Sequence, residues 1–271
     1  PLGLPLTHGR YCHIVAIAGL CHASRAREGS PAHRRGWISC REAGPLLAHL
    51  TIRLLGSYQV TAAERPVTVV RWAKMAALLA YLVLESDRAH ARCELVELLW
   101  PEQAHGTGLA DLRQVLFRLR RHLCDNGSTL PCLLITPNDI QFNRAADFWL
   151  DVTEFRARIA SPQAHHHDQD RLCDHCLAAL VEAVDLYRGP LLAGIAPEGS
   201  AGFDDWLLAQ QETLHEQALS TLGCLATHLQ ELGDHSLAAQ YAQRAIEQAE
   251  LLREQGGPAL LVGVARLVAA L

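Results

Sequence analysis

From Leu50 to Val60 the chain runs Leu50-Thr-Ile-Arg-Leu-Leu-Gly-Ser-Tyr-Gln-Val60, an alternating, β-rich stretch with the period of a half-buried strand. Glu64-Arg-Pro66 reads as a turn into a second β-rich run, Val67-Thr-Val-Val70. The period changes at Arg71: Trp72, Met75, Leu78, Leu79 and Leu82 recur at helical spacing, predicting a helix that ends at Leu84. Arg92 to Trp100 is a shorter helix, stopped by Pro101. Gly108 to Leu123 carries the sharpest pattern in the chain. At about 100° per residue, Leu109, Leu112, Leu116, Leu119 and Leu123 fall in one narrow sector. Thr107, Ala110, Gln114, Phe117, Arg118 and Arg121 gather on the other side, with Arg113 and Arg120 on its flank. Cys132-Leu-Leu-Ile-Thr136 and Ile140-Gln-Phe142 then flank Pro137-Asn-Asp139, a predicted β-hairpin.

Beyond the hairpin the strand signals fade. Ser161 to Arg171 is polar and without period, so it reads as a loop or linker. From Cys173 the chain is helical almost throughout: Leu177 to Tyr187, closed by Gly189-Pro190, then Phe203 to Leu232 after a Gly/Pro-containing loop, then Ser236 to Leu252. Leu232-Gly-Asp-His-Ser-Leu-Ala238, followed by Ala242 and Ala245, spaces small residues as in a tetratricopeptide unit, whose paired helices pack closely. One such unit cannot bury its own face and must stack on neighbouring helices. The fold class expected is mainly α with a small β component: a winged helix-turn-helix domain followed by an all-α, tetratricopeptide-like domain. The boundaries expected are an atypical, poorly ordered extension over 1–47, a winged domain over 48–155, a linker over 156–172, a truncated helical domain over 173–255 and an aberrant tail over 256–271.

Charge sharpens the reading of one helix. The chain of 271 residues has a formal net charge of −5, whereas the Gly108 to Leu123 helix concentrates arginines on its polar face. A localised cationic face on an acidic protein calls for an anionic partner, and a DNA duplex fits it best. Lys74 is the only lysine, and arginine suits bidentate contacts to guanine and phosphate. In a major groove Arg113, Gln114, Phe117 and Arg118 would lie nearest the bases, Arg120 and Arg121 would hold phosphates, and the Cys132 to Phe142 hairpin would form the wing.

Other chemistry is thinner. Nine cysteines are scattered, and only Cys173 and Cys176 form a close pair, which suits a reducing, cytoplasmic compartment. With His165, His166, His167 and His175 nearby this pair offers zinc-type ligands. It lacks a second cysteine pair and an ordered histidine spacing, so two small residues at a helix start is the stronger reading. No apolar run is long enough for a transmembrane helix, and Ile14 to Leu20 makes a poor signal peptide. No nucleophile–base pair, His-Glu-x-x-His helix or Gly-rich phosphate loop is found, so neither catalysis nor a cofactor is expected.

Six segments in order carry a resemblance: Leu50-Thr-Ile-Arg-Leu-Leu-Gly56, Lys74-Met-Ala-Ala-Leu-Leu-Ala-Tyr-Leu82, Glu94-Leu-Val-Glu-Leu-Leu-Trp-Pro101, Ala110-Asp-Leu-Arg-Gln-Val-Leu-Phe-Arg-Leu-Arg-Arg121, Asp147-Phe-Trp-Leu-Asp-Val152 and Leu186-Tyr-Arg-Gly-Pro-Leu-Leu192. Residues 50 to 255 thereby resemble the bacterial transcriptional activator domain proteins, which include the antibiotic regulatory proteins. The resemblance implies a response-regulator-like winged helix that binds double-stranded DNA, with a recognition helix at about Gly106 to Cys124. It also implies an all-helical activator domain that contacts RNA polymerase or a second protomer. Asp111 stands where the family has asparagine, which implies either weaker DNA binding or a helix N-terminal cap. The alternative function is a helical-repeat interaction module with weak or lost DNA binding.

Overall fold

The computed structural model describes residues 50–62, 65–66, 73–123, 130–164 and 172–254. The expectations for 1–47, for the run Val67 to Val70, for Trp72, for His165 to His167 and for 256–271 lie outside the described residues.

The alternating stretch at Leu50 is a hairpin rather than one strand. β1 (Leu50–Arg53) pairs antiparallel with β2 (Gln59–Ala62), Ile52 opposite Val60, and Leu50 and Ile52 are fully buried. Arg65–Pro66, read as a turn, forms the short edge strand β3 on β2, a position where proline costs no ladder bond. α1 (Ala73–Leu84) and α2 (Arg92–Leu99) follow as expected, with the two-residue strand β4 (His90–Ala91) between them. α3 (His105–His122) is the arginine-bearing helix. β5 (Leu133–Ile135) and β6 (Asp139–Phe142) form the expected hairpin, and β4 completes its sheet in the order β4-β6-β5. β7 (Phe148–Leu150) returns to lie parallel to β1, giving the order β3-β2-β1-β7.

β7 runs directly into α4 (Asp151–Ala164), so the polar stretch expected to be linker from 156 begins as helix. The stretch from Ser161, read as loop or linker, opens as the last turn of this helix, with Pro162 accommodated inside it. α5 (Asp174–Leu186), α6 (Ala201–Glu231) and α7 (His235–Glu254) complete the described chain.

The chain divides into two units. The winged unit combines the described residues up to Glu154 with Arg188–Leu214, and the helical unit combines Phe155–Tyr187 with the described residues from His215 onward. The contribution of Arg188–Leu214 to the winged unit was not visible in the sequence. Its backbone is sewn to the segment after β1: Gly56 N donates to Pro190 O, Leu192 N to Leu54 O and Ala193 N to Gly56 O. Gly56 has φ +88°, and a Cβ there would lie 3.2 Å from the Arg188 Cβ, so glycine meets both a backbone and a space requirement. The Asp151 carboxylate, 1% exposed, accepts from the backbone N–H of Leu54 and Leu55 and from the Arg188 guanidinium at 3.0 Å. Two of the resembling segments, around Asp151 and Arg188, therefore hold this unit together.

In the helical unit, Leu180 and Val184 of α5 pack with Leu219, Leu222 and Leu225 of α6 and Ala245 of α7. Ala238, Ala242 and Ala245 are buried, as the tetratricopeptide-like spacing requires for close helix approach. Asp234 caps α7 by accepting from Leu237 N–H, and Arg244 ties α7 to Asp185 and to the Val184 carbonyl of α5.

Candidate nucleic-acid interface

α3 buries Leu112, Leu116, Leu119 and Leu123, as the leucine stripe predicts, while Leu109 stays half-buried at its edge. Arg113, Gln114, Arg120 and Arg121 are exposed, Arg118 is half-buried, and Phe117 is 63% exposed, an unusual position for so apolar a ring. From Arg120 through Arg113, Phe117, Arg121 and Gln114 to Arg118, these positions span roughly 160° of the helix circumference. The structure thus brings all six predicted residues to one outward arc, with Phe117, Arg121 and Gln114 at its middle and Arg118 at its inner margin. The Arg121 guanidinium lies 5.9 Å over the Phe117 ring, which braces both side chains. Arg120, Arg121 and His122 occupy the last turn, where the helix dipole favours positive charge.

Two features that position α3 were not read from the sequence. Gly108 faces α2 so closely that an added Cβ would sit 2.5 Å from Val96 Cγ1, so the pairing of α2 and α3 depends on its lacking a side chain. The hairpin tip is latched to the start of α2: Arg92 donates through Nη2 to Thr136 O at 2.9 Å, and Arg92 N donates to Asn138 O. Thr136 Oγ1 in turn accepts from the N–H groups of Asn138 and Asp139, closing the turn. The strands and turn from Leu133 to Phe142 contain no arginine or lysine, so cations near the wing come from Arg92 and the exposed Arg144.

Asp111 is not a helix cap. Ala104 is the N-cap of α3, which places Asp111 in the second turn, partly buried. Its charge acts instead on Lys74 in the first turn of α1. Burial pushes the Lys74 ammonium below its ordinary value, opposed by Asp111 first and then by Glu102 and Glu198. Lys74 also lies 5.3 Å over the Trp100 ring in the turn between α2 and α3. The one lysine thus lies within electrostatic reach of the one carboxylate on α3, and of Glu102 and Glu198, a proximity that no sequence spacing announces.

The remaining candidates fall elsewhere. Trp149 is half-buried on β7 with the Arg53 guanidinium 5.5 Å over its ring, a packing role rather than a stacking platform. Cys173 is the exposed N-cap of α5, and Cys176 is buried one turn later. Among the described residues no group of three or more His, Cys, Asp or Glu side chains is placed to hold a metal ion. Among the same residues no helix is long and apolar enough to cross a membrane.

Residues 150–267 match the family model of the bacterial transcriptional activator domain. Over that stretch, a little under half of the chain, the sequence is similar to this class of domain. No curated protein matches the chain. Among solved structures, Mycobacterium tuberculosis EmbR in complex with a low affinity phosphopeptide is similar at 21% identity and a TM-score of 0.46, over 82% of this chain. This chain spans 65% of the length of that one.

Proposed function

We propose that this protein is a DNA-binding transcriptional regulator, an activator, that docks α3 in a major groove of double-stranded DNA. The observation that carries the reading is the outward arc of α3: four arginines, a glutamine and an exposed phenylalanine on an acidic chain. Arg113, Gln114, Phe117 and Arg118 are assigned to base edges, where glutamine can pair with adenine, arginine with guanine, and Phe117 can pack against a thymine methyl. Arg120 and Arg121 are assigned to phosphates, with the hairpin beside them as the wing. The 48–155 region is the DNA-contacting domain in this reading, and the helical region of 173–255 offers its surface to RNA polymerase or a second protomer. The protein acts in the cytoplasm, where its DNA is.

A gel-shift titration on the gene's own upstream region, repeated at several salt concentrations, tests the reading. The logarithm of affinity should fall steadily with the logarithm of salt, and Arg121→Ala should lower that slope by about 0.9 while leaving sequence preference unchanged. Arg118→Ala should instead cost about 1–3 kcal/mol on the preferred site and relax specificity there. A slope near zero would sink the proposal. It would favour the second reading, a helical-repeat interaction module with weak or lost DNA binding, which Asp111 and a wing without arginine or lysine support.

A further inference from the structure

Cys173 and Cys176 are the two cysteines closest in sequence, three residues apart, and the proposed DNA contact does not use them. Their positions on α5 differ in kind. Cys173 is the N-cap, with extended backbone at φ −74° and ψ 160°, and is exposed to solvent. Cys176, in the first turn, is fully buried. Residues that open a helix three apart have Cα atoms roughly 5–6 Å apart, which is the usual span of a disulfide. The two thiols are already hydrogen-bonded to each other, and the Ser161 hydroxyl of α4 also reaches Cys176.

We propose that Cys173 and Cys176 form a reversible dithiol–disulfide site on the helical unit, with Cys173 the thiol that meets the oxidant and Cys176 the thiol that resolves the adduct. The oxidant is a low-molecular-weight disulfide. The Cys173 thiolate attacks one of its sulfurs, forming a mixed disulfide and expelling a small thiolate. Cys176 then gives up its proton and attacks Cys173 Sγ, expelling the second small thiolate. Two protein thiols are oxidised, one small disulfide is reduced to two thiols, and the protons released by the protein are taken up by those thiols. The division of labour follows from access: Cys173 is exposed to solvent, whereas Cys176 is buried one turn along the same helix. Burial, reinforced by the hydrogen bond to Cys173, pushes the Cys176 thiol up, which keeps its proton in place until the mixed disulfide forms. The exposed Cys93, on α2, has no close cysteine in sequence and serves as the internal comparison.

The whole chain can be titrated with oxidised glutathione, alkylated, digested with trypsin and read by mass spectrometry. Cleavage at arginine yields one peptide, Leu172 to Arg188, that contains both cysteines. Its conversion to a form lacking two hydrogens and carrying no glutathione is the expected result, at glutathione ratios where the Cys93 peptide carries glutathione or remains alkylated. Cys176→Ala should trap glutathione on Cys173, whereas Cys173→Ser should leave Cys176 unmodified. Serine is a favoured N-cap, so the second variant keeps the helix start intact. Glutathione accumulating on Cys173 in the unaltered chain, equal labelling of Cys176 in the Cys173→Ser variant, or persistent alkylation of both thiols would each overturn the proposal. So would a bound zinc ion that blocks oxidation until it is chelated.

Discussion

Single side chains decide whether the winged unit closes. Asp151 satisfies two buried backbone N–H groups and one guanidinium at once, so removing it strands three donors. Asp151→Ala should cost about 2–4 kcal/mol, visible as a lowered urea midpoint at unchanged slope, because the buried N–H groups of Leu54 and Leu55 lose their acceptor. Gly108 acts in the opposite sense, through what it lacks. Gly108→Ala places a methyl 2.5 Å from Val96 Cγ1 and should destabilise by about 1–3 kcal/mol. Adding Val96→Ala should recover part of the loss in a double-mutant cycle, and full additivity would show that the two residues do not share this space. Neither role could be read from the residue itself. Asp151 stood in the sequence only as one position of the Asp147 to Val152 segment, and Gly108 only as the start of a periodic stripe.

At the scale of elements, the leucine period of α3 was legible because one helix face meets one core, and a 3.6-residue repeat records that directly. The hairpin was legible for a similar reason, since Pro137-Asn-Asp139 carries turn chemistry between two β-rich runs. β7 and α4 were not. β7 pairs with β1 from almost a hundred residues away, and a pattern along the chain says nothing about a partner that distant. α4 runs through Ser161-Pro162, whose local preference argues for a break, and ends at Ala164. The latch from Arg92 to the wing belongs to the same scale. Arg92→Ala should raise hydrogen exchange across Leu133 to Phe142 while changing global stability little, since the bonds it removes are exposed. Unchanged exchange in the hairpin would mean that the turn closed by Thr136 is sufficient alone.

Over the whole molecule, acidity and buried histidine set how conditions act. His215 is buried in the helical unit with Nδ1 3.1 Å from the Tyr187 hydroxyl, and Nε2 has no hydrogen-bond partner among the described residues. Burial holds its pKa below the ordinary value of 6.5. The unfolded chain therefore binds this proton more readily than the folded one, and stability present above about pH 6.5 should decline as pH falls through the lowered folded value. His215→Gln should flatten that part of the curve in chemical denaturation at stepped pH, relative to the unaltered protein. An identical pH dependence in both would remove His215 from the account. The sequence by itself determined the mainly helical class, the order of helices and hairpin, the leucine and alanine faces that pack, and the arginine arc, because each is a local period or a local excess of charge. Only the tertiary structure decided that Arg188–Leu214 completes the winged unit, that Asp151 and Arg188 hold it, that Lys74 answers Asp111, and that Arg92 fixes the wing. Those depend on which distant segments meet, and burial and hydrogen-bond satisfaction in three dimensions settle that choice.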